Sequence, residues 1–491
     1  MPALARGQET PTEREAARDV LKKMATLQQA IDVPKVVATL TAPNPAREKV
    51  VARAKALMDA ELLALSDDIC THPEIGYKET RSVEKLAAAL RAHDFDVTIG
   101  AAGFDTAFVA KWKGGTKSSA AGAGASGSSN RASAAAVAAP AAGGVPNLGV
   151  IVEYDALRGT KGAFHGDQHC AQGPVGIAAA VALAEFLGST RTPGTVTVFG
   201  TPAEELLEPS AKTVMHQAKV FDGMDIIVRS HAASQTSRPA SGFGTCCLNI
   251  DGVKYTFSGA PAHQMTAWNG RNALTAVVHL FENIDSVRSN IRPEARIQGV
   301  ITEGGAAPNV VPDRTQADFY IRYPDEVYLR QVREFVDNAA KAAALATGTK
   351  VKIDNYGSAR DGIATSALAE VAFAYMKQYG ATKVIDTPGK PQGFEESGSV
   401  SRDVPGIGFS AHSSEWPNHT YEMEQDNLKP VGHHGFTVDA QAMTAVLYDF
   451  ATRADYRVTV KKEFDGLRGL FSEYIAALEK VYTPPVVPEP K

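Results

Sequence analysis

Thr195-Val-Thr-Val-Phe-Gly200 runs straight into Thr201-Pro-Ala-Glu-Glu205, which reads as a buried strand followed by a turn that carries two adjacent carboxylates. Asp225-Ile-Ile-Val-Arg229 reads as a second buried strand, with His231 just beyond its end. A third is expected at Leu148 to Glu153, and another at Ala107 to Trp112. Ligand crevices in α/β proteins open at the carboxyl ends of such strands, so these polar residues stand where a site forms. Upstream, His165-Gly-Asp-Gln-His169 adds two imidazoles and an aspartate. Two-metal hydrolases need such a collection: ligands for two cations and a spare carboxylate to handle a proton.

Each part has a plain structural reading when taken alone. Adjacent glutamates are common on solvated helix faces, a His-x-Asp-x-His run can be an exposed polar turn, and a lone histidine at a strand end is more often a satisfied core residue. Alternate residues of an extended loop would place His165, Asp167 and His169 on one side. Neighbours on an extended backbone would send Glu204 and Glu205 to opposite sides, one toward a metal and the other toward water. Cys170 fits either the cluster or a small buried position.

The chain has 491 residues, 44% apolar and 21% charged, enough for two or three globular domains. Its net charge of −5 comes without a basic stripe, which argues against nucleic acid as a partner. No apolar run reaches the roughly 18 residues of a membrane span, so no membrane partner is expected. Met1 to Arg14 resembles neither a signal nor a transit peptide, and four cysteines in so long a chain make no disulfide framework. A cytoplasmic, reducing location is therefore expected.

Along the chain, residues 1–46 read as an extension with one helix, Glu13 to Gln29. Helical periodicity follows at Arg47 to Ser66 and Ser82 to His93. Gly114 to Pro146 is nearly all Ala, Gly and Ser, and is expected to be a flexible surface insertion within a first catalytic segment, 47–243. Near Gly242 the pattern changes. A strand at Cys246 to Phe257, a helix at Asn272 to Ile291, strands at Ala295 to Thr302 and Thr315 to Arg322, a helix at Glu326 to Thr347 and a closing strand at Lys350 to Ile353 form an α+β unit, 244–355. The catalytic domain resumes at 356–482 with a helix at Ser366 to Tyr379, and a Pro-rich tail occupies 483–491. The expected architecture is an α/β catalytic domain with a smaller α+β domain inserted in it.

These residues resemble the di-metal amidohydrolases of the aminoacylase and carboxypeptidase clan, in the branch of p-aminobenzoyl-glutamate hydrolase, the auxin-conjugate hydrolases and certain dipeptidases. The resemblance spans about residues 55 to 455. It is carried by His72-Pro-Glu-Ile-Gly-Tyr-Lys-Glu79, Glu153-Tyr-Asp-Ala-Leu157, His165 to His169, Pro202-Ala-Glu-Glu205, Ser258-Gly-Ala-Pro-Ala-His263, Gly270-Arg-Asn-Ala-Leu274 and Gly304-Gly-Ala-Ala-Pro-Asn-Val-Val-Pro312. It implies a mostly parallel sheet, and an inserted domain that serves as lid and homodimer contact.

The resemblance also implies the site. Asp167 matches a position usually held by cysteine. With His169, Glu205, His231 and His419 it would bind two divalent metal ions, whether zinc, manganese or cobalt. His433 and His434 compete with His419, but they look like a later helix-opening motif. Glu204 matches the general base, while His263 and Asn309 resemble residues that reach over the substrate's carbonyl or carboxylate. The chain departs from the family at Leu206-Leu207, where two glycines are common, and at Glu396, where aspartate is usual.

The implied activity is hydrolysis of a small-molecule amide, an N-acyl or N-aroyl amino acid or a dipeptide. Three other readings stay open: a catalytically inactive protein with a binding or regulatory role in a complex, a mononuclear hydrolase of another clan, and a purely structural oligomer.

Overall fold

The computed structural model describes residues 17–114, 144–243, 249–388 and 398–482. The expectations for Cys246, Cys247, Glu396, the Pro-rich tail and most of the Ala/Gly/Ser insertion lie outside the described residues. The chain opens with helices α1 (Arg18–Gln29), α2 (Val33–Leu40), α3 (Pro45–Leu57), α4 (Leu63–Cys70) and α5 (Thr80–Ala92). A π-helical turn, Met58–Leu62, joins α3 to α4. Strands β1 (Phe95–Ile99), β2 (Phe108–Trp112) and β3 (Asn147–Val152) follow, then a short hairpin of β4 (Leu157–Gly159) and β5 (Gly162–Phe164). Next come α6 (His169–Thr190), β6 (Thr195–Gly200), α7 (Ala211–Gln217) and β7 (Ile226–Ser230).

The central sheet has the order β1-β2-β6-β3-β7 and ends on a strand from the C-terminal segment, Gly406–Phe409. Its last four strands are parallel, whereas β1 and β2 form an antiparallel edge. Burial alternates along the edge strand β1 but is continuous at the centre. Leu148, Val150, Ile151 and Val152 of β3 are all fully buried, as a strand covered on both faces requires.

Helix α6 is long and apolar enough to cross a membrane by composition, yet 89% of its apolar window is buried inside the protein. It lies against β3 so closely that a Cβ at Gly176 would meet Val152 Cγ1 at 2.4 Å. Its first residue is His169, six residues before the expected start at Val175. Cys170, its second residue, is disulfide-bonded to Cys70 at the end of α4. No disulfide was expected from the sequence. Because such bonds persist mainly in oxidising compartments, this pairing removes the cysteine argument for a reducing one.

The inserted domain is a four-stranded antiparallel sheet of order β10-β11-β9-β12, from β9 (Ile250–Ser258), β10 (Arg296–Glu303), β11 (Arg314–Arg322) and β12 (Lys350–Ala359), after the two-residue β8 (Thr236–Ser237). Helices α8 (Ala273–Val287) and α9 (Glu326–Thr347) cover one face, and their apolar stripes meet Tyr255, Phe257, Phe319 and Ile321 in its core. β12 extends six residues past the expected Ile353 and leads the chain back to the domain of the central sheet. There α10 (Ser366–Gln378), β13 (Val384–Ile385), β14 (Gly406–Phe409), α11 (Tyr421–Asn427), α12 (Pro430–Thr452) and α13 (Ala454–Val481) complete the fold. α1 packs on α13, and Val20 of α1 with Phe464, Leu467 and Leu478 of α13 joins the inserted domain's core.

Candidate metal centre

The candidate ligands converge at the carboxyl ends of four neighbouring strands. β3 leads to Glu153 and Asp155, β6 to Glu204 and Glu205, and β7 to His231, whose amide donates to Phe409 O of β14 at 2.8 Å. Asp167 sits in the loop before α6. His419 comes from the loop after β14, where its own amide donates to Gly166 O at 2.8 Å. Gly166 permits this approach, since a Cβ there would lie 2.9 Å from Thr420 O.

Asp167 is the centre of the arrangement. Its Oδ2 lies 3.5 Å from His231 Nε2, 3.6 Å from His419 Nε2 and 3.8 Å from His169 Nε2. His419 Nε2 is also 3.8 Å from Glu205 Oε2, and Glu204 Oε2 is 3.8 Å from His169 Nε2. Ligand atoms that share one ion at about 2.1 Å stand roughly 3 to 4 Å apart, which is the spacing found here. The ligand atoms of Asp167, His169, Glu204 and Glu205 all lie within 4.8 Å of one another, and Asp167 Oδ2 also faces His231 and His419. His169 Nε2 and Glu205 Oε1 are buried without a hydrogen-bond partner. Orphaned donors and acceptors of this kind are costly unless a cation satisfies them, so the imidazole and carboxylate set fits divalent metal.

Charge within the cluster is strongly coupled. Burial alone would raise the Asp167 carboxyl, but His231, His419 and His169 outweigh it and hold the group well below the ordinary range. Burial pushes Glu205 up to about 7, against the pull of His169. Burial would lower His169; the Asp155 carboxylate, 3.0 Å from its Nδ1, raises it instead. Asp155 also accepts the Glu205 amide at 3.1 Å, so one carboxylate orients two candidate ligands.

Beneath them lies Glu153, fully buried. Despite that burial, Lys212 and Arg229 hold its carboxyl well below the ordinary range, with Arg229 Nη1 at 2.9 Å. Glu153 is close to His169 and His231, but two cations already engage its oxygens. Glu79 supports the Glu204 turn, accepting the Ala203 amide and the Thr106 hydroxyl, each at 2.8 Å.

Several sequence expectations meet a different geometry. Glu204 and Glu205 are on a turn, not an extended segment, because Ala203 takes a left-handed φ of 55°. His165, Asp167 and His169 do not line one side of a loop. Gln168 at φ 57° turns the chain into α6, and His165 is buried with neither ring nitrogen hydrogen-bonded, outside the ligand cluster. His433 Nε2 lies 2.8 Å from Asp67 Oδ1 and His434 Nε2 2.9 Å from Gly380 O, so both are engaged elsewhere. His263 and Asn309 lie side by side in the inserted domain, where the Gln264 amide donates to Asn309 O at 3.0 Å, and both are exposed.

Asp155, Glu153, Lys212, Arg229 and Glu79 were not singled out as site residues, although Glu153, Asp155 and Glu79 lie inside quoted motifs and Arg229 ends a quoted strand. Asp155→Ala is expected to weaken metal binding about 10- to 100-fold, as loss of a ligand-orienting carboxylate does. Competition with a chromogenic chelator, on protein shown to be folded by circular dichroism, measures it.

Residues 248–347 match the peptidase dimerisation domain family. A human Xaa-Arg dipeptidase is 29% identical over 335 residues, covering 65% of this chain and 74% of that protein. A p-aminobenzoyl-glutamate hydrolase polypeptide from Escherichia coli strain K12 is 30% identical over 304 residues, covering 59% of this chain and 56% of that protein. Among solved structures, an aminobenzoyl-glutamate utilization protein from Klebsiella pneumoniae shares the fold with a TM-score of 0.56 at 16% identity, covering 83% of this chain and 99% of that one. A dinuclear metal-binding peptidase of the M20 family from Bacillus subtilis does so with a TM-score of 0.50 at 17% identity, covering 80% and 98%.

Proposed function

Because this chain belongs to the di-metal amidohydrolase and metallopeptidase family of aminoacylases and carboxypeptidases, and is a metal-dependent amidohydrolase, we propose that it cleaves N-acyl or N-aroyl amino acids or dipeptides with Glu204 as general base. The observation that carries the reading is Asp167, placed between two ligand sets with Glu204 beside them. In this reading Asp167 with His169 and His231 would hold one divalent cation, and Asp167 with Glu205 and His419 the other. A cation held there would lower the pKa of bound water and polarise a carbonyl.

The chain's own residues do the rest. Asp155 fixes the His169 tautomer by accepting from Nδ1, which turns Nε2 toward Asp167. The Ala203 turn, held by Glu79, presents Glu204 where a water attacking the amide carbonyl would lose its proton. Glu204 accepts that proton and delivers it to the leaving nitrogen. His263 and Asn309, exposed in this protomer, act on the carbonyl oxygen or carboxylate of substrate bound to a second copy, so the working unit is a homodimer. The exposed Val300 and Ile301 on the edge strand β10 support that association.

Release of amine from a panel of N-acyl amino acids, N-aroyl amino acids and dipeptides, with metal content measured on the same preparation, tests the proposal. Cleavage that requires metal, stops on chelation and returns on re-addition is expected. Folded, metal-loaded protein that cleaves no member would overturn it.

A further inference from the structure

Asn418, next to His419 in the loop after β14, makes a contact that the proposed chemistry leaves unused. Its Nδ2 donates to Asp167 Oδ1. The imidazoles of His231, His419 and His169 all face the other oxygen, Oδ2, at 3.5, 3.6 and 3.8 Å. The two oxygens of this carboxylate therefore have separate partners. Asp167 is only 6% exposed, so an Oδ1 with no donor would be costly. His169 Nε2 and Glu205 Oε1, by contrast, are buried without a hydrogen-bond partner. The bare polar atoms here are ones that a cation would satisfy, and Asp167 Oδ1 is provided for by the protein.

The backbone explains how two adjacent side chains reach one carboxylate. Neighbours on an extended segment project to opposite sides, but His419 takes a left-handed φ of 67°, a region that residues with a Cβ seldom adopt. Its amide, donating to Gly166 O, holds it there. The two loops are also tied together away from Asn418. Ser413 Oγ donates to Gln168 Oε1 at 2.6 Å, Gln168 Nε2 donates to Ser413 O at 3.2 Å, and Asn427 Nδ2, at the end of α11, donates to His165 O at 2.9 Å. These bonds hold the His419 loop against the Asp167 loop whether or not Asn418 contributes. What is left for the Asn418 amide is the rotation of the Asp167 carboxylate, a torsion with a broad energy minimum that nothing covalent fixes.

We propose that Asn418 is a positioning residue of the metal centre, which fixes Asp167 through Oδ1 and so aims Oδ2 at the cations that Asp167 would share with the three histidines. This rests on Asp167 being a metal ligand, as in the function proposed above. Without the amide, the carboxylate samples orientations that have to be narrowed each time a metal binds, and affinity falls.

The test measures zinc affinity by competition with a chromogenic chelator, on proteins shown to be folded by circular dichroism. Asn418→Ala is made in three backgrounds: wild type, Asp167→Cys and Asp167→Ala. Asn418 is exposed, so its truncation should leave the melting temperature unchanged. In the wild-type background it should weaken zinc binding about tenfold or more, as loss of a ligand-orienting partner does. Cysteine offers a metal one donor atom and has no second oxygen for Asn418 to hold, so in Asp167→Cys the same truncation should change affinity by less than about twofold. Asp167→Ala supplies the same comparison should Asp167→Cys take up no zinc. An undiminished affinity in Asn418→Ala, or an equal loss whichever residue stands at 167, as a merely structural loop residue would give, would overturn the inference alone. Zinc binding by Asp167→Ala that matches wild type would remove Asp167 from the ligands and this inference with it.

Discussion

Glu204→Gln should lower kcat by a hundredfold or more while metal content stays at the wild-type level. The amide is nearly isosteric with the carboxylate but cannot take a proton from water, and general bases typically contribute about 10²- to 10⁴-fold. Glu204 Oε2 stands 3.8 Å from His169 Nε2, within the cluster, so a purely structural or ligating role would show differently. Loss of a ligand lowers metal content and melting temperature together with activity. Rapid-quench kinetics with metal analysis separates the two outcomes, and a variant that keeps most of its turnover would remove Glu204 from the base's role.

The sheet was legible because burial on both faces leaves a mark on composition. Val-Thr-Val-Phe before Glu204 and Ile-Ile-Val before Arg229 could hardly be surface segments, and both are central parallel strands. The inserted domain was legible for a different reason, since its strands and amphipathic helices alternate in period. What the sequence hid were local turns and distant pairings. Alanine carries no signal for the left-handed conformation of Ala203, so the Glu204-Glu205 pair looked extended. The Glu153 cluster depends on Lys212, 59 residues on, and Arg229, 76 residues on. Cys70 and Cys170 are 100 residues apart. No periodicity encodes contacts at such separations. Asp155 was the recoverable case: an aspartate two residues after a buried Glu at a strand end, within a motif already noticed, is well placed to orient a neighbouring ligand.

Mixing His263→Ala with Glu204→Gln under conditions that exchange protomers should restore activity to about one quarter of wild type, although each variant alone is nearly inactive. His263 is exposed, and its Nδ1 is occupied in accepting the Met265 amide at 3.1 Å, which leaves Nε2 to face outward. Met265 and Trp268 beside it are 73% and 76% exposed, and Val310, bridged to His263, is 45% exposed. An outward imidazole among uncovered apolar side chains is what an interface element looks like before its partner is added, and the segment lies within the stretch that matches a dimerisation domain. If each site takes Glu204 from one chain and His263 from the other, a mixed dimer holds one intact site and one lacking both groups. Random exchange makes half the dimers mixed, so about one site in four is whole. Exchange verified by mass spectrometry with no recovery would confine His263 to its own protomer. A fully active His263→Ala enzyme would instead take the imidazole out of catalysis, leaving the exposed tip as a contact surface only.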